Sequence, residues 1–201
     1  MQNGRLNVEE VLAMKGFRLT LVVLALVAAL NLSGCASSMM SQVPPADPPD
    51  ANHAVVTFMR PSNFGGAIQF GIWDGENFVG ILSAGSSVQY HAEPGEHLFL
   101  GRAENWSYVS ANLEGGKNYY ILGNVFPGVW KARIAFDPVT KNDGTSKAEL
   151  DKWIKTLTPT AVIPEKRDAY VKKHLPDIKR AIDKFQTDEV KFTVLEADDN
   201  R

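Results

Sequence analysis

The chain has 201 residues, 44% of them hydrophobic and 22% charged, which suits one domain of ordinary size with an appendage. Its 21 lysines and arginines stand against 23 acids, a formal net charge of −2 without any Lys/Arg block, so there is no electrostatic footprint for nucleic acid. A single cysteine excludes an internal disulfide and a cysteine-based metal site.

Residues Met1 to Ala13 carry Glu9 and Glu10 where a secretory signal is normally basic, whereas Met14-Lys15-Gly16-Phe17-Arg18 sets two cations directly before an apolar run. Translation is therefore expected to begin at Met14. The run itself, Leu21 to Leu30, is too short to span a bilayer as a helix but fits the core of a signal peptide. It is followed by Leu32-Ser33-Gly34-Cys35, and Cys35 is the sole cysteine. These four residues resemble the lipobox of bacterial lipoproteins. The resemblance implies that residues 1–34 are removed, that the cut falls between Gly34 and Cys35, and that Cys35 carries three acyl chains. Each buried CH₂ contributes about 0.8 kcal/mol, so one chain anchors marginally and two or more anchor stably. The competing reading is a buried structural cysteine behind a short core helix. Ala36 stands where lipoproteins retained at the inner membrane often carry aspartate, so the resemblance directs this chain to the outer membrane of a two-membrane host.

Residues 35–53 read as a lipidated cysteine and a Pro/Ser-rich tether, with Pro44, Pro45, Pro48 and Pro49 and no periodic apolar pattern. Such segments extend at about 3.1 Å per residue. A polyproline ligand for a partner groove is the functional alternative.

Residues 54–140 read as an antiparallel β-domain, because short apolar segments recur between turn residues. Ala54 to Arg60, Ala67 to Trp73, Phe78 to Leu82, Val88 to Ala92, Leu98 to Leu100, Trp106 to Leu113, Tyr119 to Val125 and Trp130 to Phe136 make about eight short strands. Asp74-Gly75 is the best hairpin signal, and Glu93-Pro94-Gly95-Glu96 predicts a second tight turn. Tight turns and the lack of long crossovers predict a sandwich-like antiparallel meander. Arg60 is in phase with Val56 and Phe58, which allows an inward, paired cation, but its place at the strand's end predicts a head group in water.

Val56-Thr57-Phe58-Met59-Arg60-Pro61-Ser62 resembles the opening strand of a family of bacterial lipoproteins carrying domain of unknown function 2846. The Asp74-Gly75 turn, Gly80, the Pro94-Gly95-Glu96-His97 turn and the Tyr119-Tyr120 pair follow in that family's order, over residues 54 to 140. Met59 replaces the aromatic residue expected there. The resemblance implies a β-sandwich-like fold behind a lipid anchor and supplies no catalytic residue.

Residues 141–201 read as a helical extension of two or three α-helices. Ser146 and Glu149 form a capping box, and Leu150, Trp153, Ile154 and Leu157 follow as one apolar stripe. Pro159 ends that helix and Pro164 opens a second, with Tyr170, Val171 and Leu175 on its buried face. Pro176 kinks it or starts a third, carrying Ile178, Ala181, Ile182 and Phe185. Val190 to Leu195 fits a last strand before a polar tail. The apolar stripes are expected to pack on the β-domain.

For chemistry the sequence offers little. In a hairpin centred on Pro94-Gly95, His91 and His97 point to opposite sides of the sheet and share no metal, and His53 and His174 are isolated. No Gly-x-Ser-x-Gly elbow and no phosphate loop is present. Tyr90, Trp106, Tyr108, Tyr119, Tyr120 and Trp130 form a candidate binding surface, although strands also use aromatics to fill cores. The expectation is a non-catalytic, outer-membrane-anchored periplasmic module without cofactor or metal, whose partners are the membrane and an envelope protein. The alternative is an envelope hydrolase with an unrecognised site, which requires Ser, His and a carboxylate within hydrogen-bond reach.

Overall fold

The computed structural model describes residues 38–127, 133–187 and 190–201. The chain is mainly β, and all eight expected strands are present. They are β2 (Ala54–Met59), β3 (Phe70–Asp74), β4 (Asn77–Leu82), β5 (Ser86–Ala92), β6 (Gly95–Arg102), β7 (Trp106–Leu113), β8 (Asn118–Phe126) and β9 (Arg133–Pro138). Three short strands join them: β1 (Met40–Gln42), β10 (Thr158–Val162) and β11 (Thr193–Leu195). Two α-helices, α1 (Lys147–Thr156) and α2 (Pro164–Thr187), and a short 3-10 turn (Ala197–Asp199) complete the described residues.

The strands divide into a six-stranded sheet, β1-β10-β5-β2-β8-β9, and a five-stranded sheet, β11-β7-β6-β3-β4. This corrects the expected meander. The chain leaves β2 for the hairpin β3–β4 in the opposite sheet, returns to β5 beside β2, crosses again to β6–β7, and comes back to β8 on the other side of β2. Strands β3 to β7, four of them in the facing sheet, thus serve as the long crossover that the parallel pairing of β2 with β8 needs. Accordingly β2 pairs parallel with β8, placing Val56 opposite Tyr119, while β10–β5 and β11–β7 are also parallel. The Pro94-Gly95 turn is likewise a corner between sheets and not a hairpin, since β5 and β6 belong to different sheets.

Period-two alternation then fixes what each face buries. Val56 and Phe58 from one sheet meet Phe70, Ile72, Phe99 and Val109 from the other in a shared, solvent-free core. Phe58 stacks edge-on against Phe99 at 5.3 Å. The outer faces are apolar as well, and each receives a helix, so β2 is buried along its whole length. Helix α1 starts at the Ser146–Glu149 capping box and lays Leu150 and Leu157 over Met59 and Tyr120, with Trp153 half-buried. Ile154, expected in that stripe, is 46% exposed. On the other side α2 covers Trp73, Phe78, Leu100 and Tyr108 with Ile178 and Ala181, flanked by Tyr170, Leu175 and Phe185. Pro176 sits inside this single helix on its exposed side, where the carbonyl it cannot bond is free to face water.

Two regions depart from the expected domain plan. From Met39 onward the proline-rich segment lies on the six-stranded sheet: β1 pairs with β10, the Ala46 N–H donates to the Gln89 side chain at 2.8 Å, and His91 bonds the Asp47 carbonyl at 3.1 Å. Its end packs so closely on the β7–β8 turn that a Cβ on Gly115 would collide with the Ala51 carbonyl. The residues after Thr140 are no appendage either, because β10 and β11 complete one sheet each and residues Met39–Arg201 form one compact unit. Among the described residues no helix is long and apolar enough to cross a membrane.

Arg60 differs from expectation too. It follows the alternation inward and is fully buried, with its guanidinium donating to the carbonyls of Phe64 (2.9 Å), Gly65 (2.8 Å) and Ile68 and lying 4.9 Å over the Phe70 ring. The loop after Pro61 curls so that its carbonyls converge on the fork, which replaces the water the strand's end was expected to give.

Candidate functional site: a half-buried histidine–aspartate pair beside an open groove

The described residues bring one group of titratable side chains together at the end of the shared core. Asp74 closes β3 at the Asp-Gly turn, where Gly75 takes the left-handed conformation (φ +51°) and its N–H donates to the Leu98 carbonyl. That bond holds the turn against β6, which carries His97. Asp74 is opposite Phe99 in the β3–β6 register, so His97, two residues from Phe99 on the same face, becomes its diagonal neighbour.

His97 Nδ1 lies 2.8 Å from Asp74 Oδ2, and Nε2 lies 2.8 Å from the Glu93 carbonyl oxygen. Both acceptors demand an N–H, so the arrangement fits an imidazolium donating twice. The ring lies flat on Phe99, 5.6 Å away with 7° between planes. The Tyr90 hydroxyl donates to the same Asp74 oxygen at 3.0 Å and accepts from Asn77, whose side-chain oxygen is held by Arg167 of α2. The Asp74 hydrogen bond raises the His97 pKa against the opposing effect of burial. Burial, then the Asp74 charge, pushes Tyr90 up to about 12.

A raised histidine pKa has a definite sign in stability. The contribution is complete below the unfolded value of 6.5 and is lost as pH rises through the higher folded value. The destabilisation caused by His97→Gln should therefore be larger at pH 5.5 than at pH 8.5 in urea melts. In an Asp74→Asn background that pH dependence should disappear.

Chemically the pair is closed. With both nitrogens bonded, His97 keeps no lone pair for a proton or a metal. Ser110 is across from Leu98, one residue away, so its side chain belongs to the outer face of the sheet while His97 belongs to the inner one. The Ser86 hydroxyl accepts from the Ser83 N–H and donates to the Ser83 carbonyl, as loop serines do. Among the described residues no three histidines, cysteines or acids are grouped to hold a metal. The surface nearby is open instead: a groove of about 490 Å³ runs past Glu96, Ser110 and Asn112 to Phe185 and Val194 at the β11 edge. A second, of about 350 Å³, lies between Arg102, Trp106, Arg180 and Lys184.

The expected aromatic surface does not assemble. Tyr119 is in the shared core with its hydroxyl donating to the Ala197 carbonyl, Tyr120 lies beneath α1, and Trp106 and Tyr108 lie beneath α2. Tyr90 belongs to the Asp74 network. Packing takes them to three separate layers. Trp130, Gly34 and Cys35 lie outside the described residues. His53 bonds Asp50 near the surface and meets the His91 ring edge-on, while His174 packs against Tyr170 and has its pKa lowered by burial. The His97–Asp74 pair was absent from the sequence reading. Its signal, an Asp-Gly turn and a Pro-Gly turn each bearing a titratable group, acquires meaning only once β3 is known to pair with β6.

No protein-family model, curated protein or solved structure matches the chain.

Proposed function

We propose that the protein is a lipid-anchored envelope module, held on the periplasmic side of the outer membrane by acylated Cys35, that binds and does not catalyse. The observation that carries the non-catalytic reading is the double commitment of His97, whose two N–H groups are taken by Asp74 and Glu93 while the nearest groove serine belongs to the other face of the sheet. The hydrolase reading needs a histidine nitrogen open to a nucleophile, and this histidine has none. Support for the anchor comes from the sequence: a sole cysteine directly behind a short signal core and the Leu32-Ser33-Gly34 triplet. Structural use of the domain is further supported by two sheets clad in helices.

Cys35→Ser is expected to leave an uncleaved precursor without lipid. Metabolic labelling with palmitate tests this, since normal acylation of that variant would refute the assignment. Gradient fractionation should place the wild-type protein with outer-membrane markers, and recovery chiefly with inner-membrane markers would remove the sorting claim.

A further inference from the structure

We propose that a small cavity on the outer face of the six-stranded sheet binds a small neutral ligand of the amide or alcohol class, one that both donates and accepts hydrogen bonds. It supplies the site that the binding reading above lacks, and it does not depend on the lipid anchor. The cavity lies where two covers of the sheet fail to meet. Helix α1 lies over Met59 and Tyr120 on one side, and the proline-rich segment lies over Gln89 and His91 on the other. Between them is a space of about 80 Å³, walled by Pro45, Pro159 and Ile154 and floored by the sheet. Ile154, which the α1 stripe was expected to bury, stands at its lip and is 46% exposed.

The floor follows from the register. Thr57 pairs with Gln89 on one side and with Tyr120 on the other, and Ser87 pairs with Met59. These positions alternate with the inward Val56 and Phe58, so they face outward. Thr57 and Ser87 are only 6% exposed and Tyr120 only 9%, yet none of the three hydroxyls is hydrogen-bonded to a described residue. Among the described residues the sealed side-chain polar atoms without a partner are Arg60 Nε and Trp73 Nε1. The three hydroxyls are not sealed, and the space they meet is the cavity they line. Gln89 accepts the Ala46 N–H with its Oε1, which leaves Nε2 to donate, and Asn118 adds a second amide to the lining.

Among the described residues none that lines the cavity is charged. Burial, and then the Asp151 charge, raises the Tyr120 pKa, so its hydroxyl stays a neutral donor. An ionic ligand would lose its water here without gaining a counter-ion, whereas a neutral group meets donors and acceptors together. Met59, Ile154 and the two prolines offer the apolar side on which a carbon body rests. Size sets the rest. The cavity has about half of the ~150 Å³ that admits benzene, which allows a group of about three to five non-hydrogen atoms. Water fills such a space when nothing else does, but it has no use for the apolar wall.

The test titrates acetamide into the intact protein, held in mild detergent and labelled at its methionine and isoleucine methyl groups, with acetate as the charged counterpart of equal size. In nuclear magnetic resonance spectra the Met59 and Ile154 methyl signals should shift and saturate with acetamide, and acetate should bind at least about tenfold more weakly. The signal of Ile178, buried beneath α2 on the other outer face, should not move. Thr57→Val and Ser87→Ala should each weaken acetamide about tenfold with no fall in the urea midpoint, because each deletes a hydroxyl that has no partner in the fold. Shifts that rise linearly and equally with acetamide and acetate would mean a cavity for water only, and would overturn the proposal. A lowered midpoint in either variant would overturn it too, by showing that the hydroxyl is bonded within the fold. The anchor is untouched by these outcomes and is decided by the palmitate labelling.

Discussion

A chain ending at Thr140 should have no cooperative unfolding transition, and not simply a lower midpoint. The truncation removes α1 and α2, which exposes Trp73, Phe78, Leu100 and Tyr108 on one outer face and Met59 and Tyr120 on the other. It also removes β10, so that β1 loses its only strand partner and β5 loses one of its two, and it removes β11 from the edge of the other sheet. Burying one large apolar side chain contributes about 1.5–3 kcal/mol, and a domain's whole stability is about 5–15 kcal/mol. Six such side chains returned to water account for most or all of it. A point substitution in the same interface grades the effect: Ile178→Ala, at a fully buried site, should cost about 2–5 kcal/mol. Urea melts of the mature domain, the point variant and the truncation test the claim. An unchanged midpoint in the truncation would mean that the helices are not part of the core.

Arg60→Ala is the second large effect, about 3–5 kcal/mol of lost stability. Of the three carbonyls that the guanidinium serves, those of Phe64 and Ile68 would lose their donor, while that of Gly65 keeps the Ile68 N–H, and each buried acceptor left without a donor costs about 1–3 kcal/mol. Arg60→Lys should recover only part of the loss, since one ammonium cannot reproduce the planar fork that spans Phe64, Gly65 and Ile68. Burial lowers the Arg60 pKa, but a guanidinium starts so far above the ordinary pH range that the group remains a cation there and no pH dependence is expected from it. Chemical denaturation of the two variants side by side tests this. Equal stability of Arg60→Ala and the wild type would mean that the loop carbonyls find water.

These two results also mark how far the sequence could be read. The eight strands were legible because each is bounded by turn residues and alternates cleanly, and α1 because Ser146 and Glu149 announce its start. Their partners were not legible. A Pro-Gly turn looks the same whether it closes a hairpin or carries the chain from one sheet to the other, and only the shared burial of Phe58 with Phe99 selects the second. Strands β1 and β10 escaped notice because the three residues Met40-Ser41-Gln42 and a segment containing Pro159 have no strand signal of their own, and they form against an existing edge. The same limit hid the site. Asp74, Tyr90 and His97 are far enough apart in sequence that only the pairing of β3 with β6, and the passage of β5 near their turn, brings them to one carboxylate oxygen. For Arg60 the periodicity pointed inward, and the expectation of a solvated head group overrode it.

Mass spectrometry of the intact protein purified from the envelope tests the central claim most directly. The account predicts a chain beginning at Cys35, with its thiol in a thioether to diacylglycerol and its α-amine acylated. A chain retaining residues before Cys35, with a free thiol there, would contradict it.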